Sequence, residues 1–322
     1  MASAADNAAG RQVFRSTCRP PSAVPARADA SEKKKSVAAK KKVPGVAAQA
    51  KPGMVRAKSP QRPASLDDAH HLALQSSAVL VQDQTTGTIL FEKNAGSVLP
   101  IASITKLMTA MVALDVAPDL NETLTIGEDD VDIIKGTRSR LKVGTRLARE
   151  EMLRLALMSS ENRAASALSR HYPGGREAFV AAMNRKAQAL GLADTRFHDA
   201  TGLTAANVSS PRDLAKMVDA AHQYPLIREF STAIDGEFSI AGRPQQFRNT
   251  NTLVRNPSWE IGLSKTGYIN EAGKCLVMQA WLNNKPTIIV LLDSWGRMTR
   301  IGDANRIKRW VESASLARPG PG

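Results

Sequence analysis

The chain has 322 residues, 43% of them hydrophobic, with 44 Lys and Arg against 30 Asp and Glu. This length allows one large domain or two smaller ones with a substantial core. No apolar run reaches about 18 residues, which excludes a transmembrane helix. Of the net charge of +14, residues 1–66 carry 14 Lys and Arg against 3 Asp and Glu. The basicity therefore belongs to an N-terminal tail, and the rest of the chain lacks the charge of a nucleic-acid-binding protein.

The tail is rich in Ala, Pro, Lys and Ser and includes two lysine triplets, at 33–35 and 40–42. Low hydrophobicity with like charge predicts disorder over residues 1–66. Two interpretations stay open, a solvated linker or a segment that binds an anionic surface such as lipid headgroups, acidic cell-wall polymer or nucleic acid. Residues 1–30 contain no apolar stretch of the kind that an export signal needs.

The predicted elements begin at residue 76. Apolar runs at 78–81 and 89–91 predict two strands around a turn. A helix is expected from near Ser103, followed by a short strand at 124–126. The polar stretch at 136–140 is interpreted as a surface loop.

The middle third is predicted to be mainly helical and the last third mainly strand. Helices are expected at 149–158, from there to Arg170, at 177–190 and at 211–222. Strand patterns resume after Pro244, with strands expected at 263–268, 274–281 and 287–292. A final helix is expected at 301–311. This order predicts an α+β fold over residues 67–317, an antiparallel sheet built from both ends and flanked by helices, with a mainly helical subdomain inserted.

Cysteine and histidine usage indicates neither a disulfide nor a metal site. Cys18 lies in the tail and Cys275 in an apolar run, so both are predicted to be free thiols, with Cys275 a small core residue. The five histidines show no metal-ligand spacing, and we expect no metal or cofactor.

The most informative stretch is Pro100–Ala110, where Ser103 precedes Lys106 by three residues at the start of a helical pattern. Residues i and i+3 share a helix face, which places the hydroxyl near the amine. The amino end of a helix stabilises an oxyanion, and a buried lysine loses its proton easily. A lone S-x-x-K is nevertheless common, and its ordinary interpretation is a capping serine with a solvated lysine.

Two further motifs raise the specificity. Ser160-Glu161-Asn162 is an S-x-N at the junction of two predicted helices, and Lys265-Thr266-Gly267 is a K-T-G at the start of a predicted strand. Each alone usually caps a helix or lies on a surface. The ordered set of three, each in the expected local structure, resembles the penicillin-recognising serine acyl-transferases, which include β-lactamases and penicillin-binding proteins.

The resemblance extends over residues 70–313. The blocks at 100–110, 157–165, 247–251 and 264–268 are similar to the low-molecular-mass penicillin-binding protein 7 group, the D-alanyl-D-alanine endopeptidases of Gram-negative bacteria. The resemblance implies a β-lactamase/transpeptidase-like fold, a periplasmic location and covalent inhibition by β-lactams.

It also implies roles for individual residues. Ser103 would be the acylated nucleophile and Lys106 the base that takes its proton. Ser160 would relay a proton to the leaving amine, and Asn162 would bind the substrate backbone while holding Lys106. The middle residue, Glu161, is expected to point away from the chemistry.

On the K-T-G strand, the resemblance implies that Lys265 supplies positive charge and Thr266 contacts the terminal carboxylate of the substrate. Gly267 would keep the strand free of a side chain where the substrate approaches. The backbone N–H groups of Ser103 and Tyr268 would form the oxyanion hole.

The implied function is hydrolysis of D-alanyl–diaminopimelate cross-links in peptidoglycan, with D-alanyl-D-alanine carboxypeptidase activity as the alternative. The sequence ends soon after its last predicted helix, so we expect it to lack the extra β-domain and anchor of larger D,D-carboxypeptidases, an expectation that favours the endopeptidase. No separate glutamate motif of the β-lactamase kind is found, so β-lactam adducts are expected to leave slowly. Two other classes remain: a basic protein that binds nucleic acid or anionic polymer through residues 1–66, and a catalytically silent wall-binding protein.

Overall fold

The computed structural model describes residues 72–296 and 298–316. Its strands are β1 Ser76–Asp83, β2 Ile89–Lys93, β3 Leu99–Pro100, β4 Thr123–Thr125, β5 Arg146–Ala148, β6 Val208–Ser209, β7 Asp235–Ile240, β8 Arg243–Arg248, β9 Glu260–Ile269, β10 Gly273–Leu282 and β11 Lys285–Ser294. Its helices are α1 Lys106–Asp115, α2 Arg149–Met158, α3 Asn162–Arg170, α4 Gly175–Ala189, α5 Pro211–His222, α6 Pro225–Thr232 and α7 Thr299–Leu316.

Some sequence predictions fall outside these ranges. The tail at 1–66, its boundary at residue 67 and Cys18 all lie outside the described residues. Among the helices that are described, none has the length and apolar character needed to cross a bilayer.

The central sheet is antiparallel, with strand order β2-β1-β11-β10-β9. The first and last strands of the domain are neighbours, with Ala78 opposite Leu292. The predicted sheet built from both ends of the chain is thus confirmed. Side chains alternate between two faces of a strand. On β11, Ile289 and Leu291 pack with α7, whereas Val290 packs into the core shared with the helical part.

The last helix is joined to the first strand by a buried carboxylate. Asp303 of α7 accepts hydrogen bonds from the backbone N–H of Ser76, at 2.7 Å, and from its hydroxyl, at 2.6 Å. Arg306 pairs with the same carboxylate. A buried charge is tolerated when it is paired and hydrogen-bonded in this way.

The helices at 149–158 and 211–222 have the predicted bounds, but the short strands β3, β5 and β6, the helix α6 and the β7–β8 hairpin were missed. Helix α6 is only eight residues long and is separated from α5 by two residues. The hairpin of β7 and β8 turns at Ala241 and Gly242, both with positive φ, instead of the usual Asn-Gly pair. The prediction that strands resume after Pro244 was wrong, because β7 lies before that residue. The hairpin was missed because its strands are mostly polar and lack apolar runs.

The stretch that carries Ser103 is a 3-10 turn, Ala102–Thr105, that leads directly into α1. We call these four residues the serine turn. Ala102 is buried and has a φ of +48°, a left-handed conformation that costs an L-residue energy. The predicted helix from near Ser103 is therefore confirmed, with the α-helix proper starting at Lys106.

Two glycines lie against the serine turn from opposite parts of the chain. A Cβ on Gly202 would lie 2.0 Å from the carbonyl oxygen of Ala102. A Cβ on Gly267, in β9, would lie 2.8 Å from the carbonyl oxygen of Ile101 and 3.2 Å from the backbone nitrogen of Ser103. The turn therefore fits between two backbones that approach closely only because both positions lack a side chain.

Replacing Gly202 by Ala should disrupt the serine turn. Gly202 has a φ of +79° and Gly191 a φ of +66°, so Ala incurs left-handed strain of about 1–2 kcal/mol at either position. Only at Gly202 does the new methyl group overlap backbone atoms, since nothing lies within 4 Å of a Cβ on Gly191. We expect Gly202→Ala to lower the free energy of unfolding in urea by at least about 2 kcal/mol more than Gly191→Ala. Equal losses would show that the close packing is not a constraint.

Candidate active site

The two groups of the S-x-x-K motif are in contact. The Lys106 Nζ lies 2.8 Å from the Ser103 Oγ, 2.7 Å from the Asn162 Oδ1 and 2.7 Å from the carbonyl oxygen of Thr201. The last two atoms can only accept hydrogen bonds. A neutral amine that donates to both keeps its lone pair directed at the Ser103 hydroxyl, which is the arrangement that a general base needs.

Burial changes the protonation of this lysine. The Lys106 side chain is completely buried, and desolvation lowers its pKa from 10.5 to about 7, although the carboxylates of Asp199 and Glu161 act in the opposite direction. The charged form is disfavoured because a low-dielectric surrounding cannot solvate the ammonium. A large fraction of the amine is therefore neutral near pH 7, as a base must be.

A second hydroxyl–amine pair lies in the same site. Lys265 Nζ donates to the Ser160 Oγ at 2.8 Å and to the carbonyl oxygen of Thr266 at 3.0 Å. Burial lowers the pKa of Lys265 well below its usual value, and the positive charges of Lys106 and Arg300 lower it further. Ser160 lies between α2 and α3 with a φ of +61°, a strained conformation of the kind that concentrates at functional sites.

The amide of Asn162 is held in one orientation by the loop before it. Its Nδ2 donates to the Thr137 Oγ1 at 3.1 Å, and the Thr137 hydroxyl donates to the Asp132 carboxylate at 2.6 Å. Because the Thr137 proton is committed to Asp132, its oxygen is left to accept from Asn162. The amide oxygen therefore faces Lys106.

Residues 136–140 form a surface loop, as predicted, but two of its side chains also contact the S-x-N motif. Thr137 holds Asn162, and the Ser139 hydroxyl donates to the Glu161 carboxylate at 2.7 Å. The Glu161 side chain thus points to this loop instead of to Ser103, as expected. These contacts could not be predicted, because the sequence of a polar loop does not indicate which of its side chains turn inward.

The three motifs meet at an open cleft of about 430 Å³. Its lining includes six of the eight predicted site residues, whereas Lys106 and Lys265 are buried below it. The full lining is Ser103, Ser160, Asn162, Thr250, Thr266, Gly267, Tyr268 and Arg300. The geometry therefore brings the predicted residues together in one place, while the roles assigned to them stay predictions.

Two lining residues were missed by the sequence analysis. Thr250 accepts a hydrogen bond from the Thr266 hydroxyl at 2.7 Å. Arg300 donates to the carbonyl oxygens of Gly267, at 3.0 Å, and Cys275, at 3.1 Å. Thr250 lies in a block that had been noted for its resemblance, but nothing near Arg300 marked the start of α7 as part of the site.

A side chain at Gly267 would collide with the serine turn, so the glycine makes room for Ser103. Gly267 also lines the cleft, and its role in leaving space for substrate stays a prediction. Tyr268, next in β9, has an exposed ring, and the Lys274 Nζ lies 4.6 Å from the ring centroid.

The Cys275 side chain is buried and free, as predicted, and burial raises its pKa to about 11. A thiol in this state is unreactive.

The arrangement can perform acyl transfer. It offers a nucleophilic hydroxyl with a neutral amine beside it, a second hydroxyl held by an amine, and positive charge at the cleft from Arg300. In residues 72–296 and 298–316, no group of three or more His, Cys, Asp or Glu side chains is arranged to hold a metal ion.

Comparison with known sequences gives one family. The profile of the family described as D-alanyl-D-alanine carboxypeptidase, peptidase S11, matches residues 65–296. A D-alanyl-D-alanine endopeptidase of Pseudomonas aeruginosa is 49% identical over 247 residues, covering 76% of this chain and 79% of that protein. One of Escherichia coli is 45% identical over 245 residues, with the same two coverages. The D-alanyl-D-alanine carboxypeptidase DacF of Bacillus subtilis is 31% identical, covering 68% of this chain and 58% of that protein.

Solved structures agree with the predicted fold class. The DD-transpeptidase of Streptomyces K15 superimposes with a TM-score of 0.69 at 28% identity, covering 74% of this chain and 97% of that one. A D-alanyl-D-alanine carboxypeptidase of Mycobacterium tuberculosis gives a TM-score of 0.67 at 25% identity, covering 77% and 93%. The α+β, β-lactamase/transpeptidase-like fold is confirmed.

Removing the Thr137 hydroxyl tests its hold on Asn162. We expect Thr137→Val to slow the acylation of Ser103 by a fluorescent penicillin about fivefold to tenfold, the effect of losing about 1 kcal/mol of orienting hydrogen bond. Thr137→Ser should restore the rate. A freed amide can also present its Nδ2 to Lys106, which lowers the pKa of that lysine. The pH midpoint of acylation should therefore fall in the Val variant.

Thr123→Val, at an exposed position on β4, is the matched control and should label like the wild type. A purely structural role for Thr137 would lower thermal stability without moving the pH midpoint. Wild-type kinetics in Thr137→Val would contradict the orienting role.

Proposed function

Because the chain belongs to the D-alanyl-D-alanine carboxypeptidase family of serine-type D,D-peptidases, peptidase S11, we propose that it is a peptidoglycan D,D-endopeptidase. It would hydrolyse D-alanyl–diaminopimelate cross-links through an acyl-enzyme on Ser103. The observation that carries this choice is the identity of 45–49% to relatives named endopeptidases, against 31% to the carboxypeptidase of Bacillus subtilis. The contact between the Ser103 hydroxyl and the Lys106 amine supports the mechanism.

In the proposed acylation, neutral Lys106 takes the proton of Ser103 as the Oγ attacks the D-alanyl carbonyl carbon. The oxyanion binds the backbone N–H groups of Ser103 and Tyr268, an interaction for which one donor is typically worth about 2.7–4 kcal/mol. Ser160, held by Lys265 at 2.8 Å, passes a proton to the leaving amine as the C–N bond breaks. The proton that Lys106 took from Ser103 replaces the one that Ser160 gave up, so Lys106 is neutral again. Lys106 then takes a proton from the water that attacks the ester carbonyl carbon, and returns it to the Ser103 Oγ as the C–O bond breaks.

Substrate binding is assigned to the remaining cleft residues. Thr266 would hold a substrate carboxylate, with positive charge supplied by Arg300, and Asn162 would contact the substrate backbone. Lys265, whose pKa is lowered by burial, is assigned to holding Ser160 instead. Thr266 and Asn162 line the cleft, and Arg300 is fixed by two backbone carbonyls. This fixation keeps the guanidinium charge in place, and within residues 72–296 and 298–316 no carboxylate forms an ion pair with it.

The proposed location is the periplasm, where cross-linked peptidoglycan is found, and the proposed process is cell-wall remodelling with an effect on cell shape. The kinship to bacterial D,D-peptidases supports both. For the basic tail at 1–66, binding to an anionic wall or membrane surface is a proposal that rests on its charge alone.

The alternative is a D,D-carboxypeptidase that removes terminal D-alanine with the same residues, and relatives with that name support it. Digestion of purified sacculi separates the two activities. We expect cross-linked dimers to disappear from the fragments released by the wild type and to remain with Ser103→Ala. Loss of pentapeptides alone, with dimers unchanged, would favour the carboxypeptidase.

Fluorescent penicillin should label the wild type covalently and leave Ser103→Ala unlabelled. The adduct should persist over many minutes, because Glu161 is engaged with Ser139 and does not activate a hydrolytic water. Rapid release of hydrolysed penicillin would contradict this assignment. Absence of label from the wild type would remove the enzyme mechanism altogether.

The pH dependence of acylation reports the state of Lys106. Burial lowers its pKa to about 7, and only the neutral amine accepts the Ser103 proton. The acylation rate should therefore rise with pH through a midpoint near 7 and level off above it. Stopped-flow labelling between pH 5 and 9 measures the midpoint, and a midpoint near the ordinary lysine value would refute the role of burial.

A further inference from the structure

A second cavity, of about 880 Å³, lies between the segment 140–147 and the hairpin residues 239–245. Four of its lining residues are cationic. We call it the basic groove and define it by Arg140, Lys142, Arg146 and Arg243.

The charge of the basic groove is largely uncompensated. Lys142, Arg146 and Arg243 are exposed, and within the described part of the chain none of them forms an ion pair. The carboxylate that lines the groove, Glu151, accepts the backbone N–H of Ala148. A concave surface lined by one sign of charge attracts ligands of the opposite sign.

One cationic side chain of the groove, Arg140, is held by contacts with β8. Arg140 donates to the carbonyl oxygen of Gln246, and its guanidinium lies 3.5 Å from the ring centroid of Phe247. Such stacking fixes a long side chain. The cation is therefore already held in place before any ligand arrives.

The same two stretches of chain continue into the catalytic cleft. Thr137, which holds Asn162, precedes Arg140 by three residues. Thr250, in the cleft lining, follows the groove residue Gln245 by five. At about 3.3 Å per residue in extended chain, that interval is about 17 Å. An extended peptide of four residues spans about 14 Å, which is short of this interval. A cross-linked pair of stem peptides is longer than one stem and has the length to extend from Ser103 to the groove.

We propose that the basic groove binds the carboxylates of the peptidoglycan peptide beyond the scissile bond. This inference rests on the proposed endopeptidase function and names the part of the substrate that the groove recognises. Stem peptides carry free carboxylates on their glutamate and diaminopimelate residues, and these match exposed Lys and Arg side chains. A cross-linked substrate continues on both sides of the bond that is cut, whereas penicillin ends close to Ser103 and does not reach the groove.

The test compares two variants of the full chain that lose the same charge. The groove variant is Lys142→Gln, Arg146→Gln, Arg243→Gln. The control is Arg185→Gln, Lys285→Gln, Arg309→Gln, at exposed positions outside the groove and the cleft. The basic tail is present in all proteins, so its contribution cancels. The probe is a soluble cross-linked dimer of disaccharide tetrapeptides.

For the groove variant we expect KM for the dimer to rise about tenfold at low salt, with kcat within about twofold. Its KM should also depend less on ionic strength, because exposed charge pairs are screened by salt. Penicillin acylation should be unchanged. The control variant should match the wild type in all three measurements.

An unchanged KM in the groove variant would overturn the proposal, and so would an equal rise in both variants. If the wild type is labelled by penicillin but cleaves no dimer, the endopeptidase assignment fails while the groove is still testable. In that case calorimetry compares dimer binding to Ser103→Ala with and without the three groove substitutions. Weaker binding with them supports the groove, and equal affinity overturns it.

Discussion

The amine of Lys106 lies out of contact with water, surrounded by three oxygen atoms, from Ser103, Asn162 and Thr201. Among the described residues no carboxylate forms an ion pair with it. Desolvation therefore outweighs the more distant charges of Asp199 and Glu161, and the pKa falls to about 7. The shift corresponds to about 5 kcal/mol in favour of the neutral amine. The base function proposed for this lysine depends on that burial.

Burial of the amine in turn depends on how the serine turn is held. The turn has a strained residue, Ala102, and lies against the backbones at Gly202 and Gly267. The loop with Gly202 also supplies the Thr201 carbonyl oxygen that accepts from Lys106. One packing arrangement thus fixes the position of the nucleophile and completes the surroundings of its base. Strain of this kind persists only where the surrounding structure over-determines it.

The second hydroxyl–amine pair extends the site without repeating the first. Lys265 has two cations near it, Lys106 and Arg300, and like charges crowded in a buried site cannot all keep their protons. The Thr137 side chain holds Asn162, and Asn162 in turn contacts Lys106. The protonation states of Lys106 and Lys265 therefore depend on both the polar loops and the sheet. The same stretch of chain then continues to Arg140, where the basic groove begins. One segment of the chain therefore carries both a residue that orients the catalytic cleft, Thr137, and a residue of the proposed binding groove, Arg140.

The sequence alone determined the local elements and the identity of the reacting groups. Periodic apolar runs fixed helices such as 149–158, and apolar runs beside turn residues indicated the strand pair at 274–292, because both are set by contacts near in the chain. The spacing of Ser103 and Lys106 was sufficient to predict their contact, since it spans less than one helical turn. The helix α6 was missed because it is only eight residues long, and the mostly polar hairpin β7–β8 because its strands lack apolar runs.

Only the tertiary structure decided what lies around those groups. Thr137, Thr250 and Arg300 reach the site from loops and from the start of the last helix, and no local pattern distinguishes an inward polar side chain from an exposed one. The close approach at Gly267 was also unforeseen, because the backbone that lies against it belongs to a segment more than 160 residues earlier. Burial, and with it the pKa of Lys106, is a property of such distant contacts. For that reason the sequence identified the reacting groups, whereas packing decided their protonation.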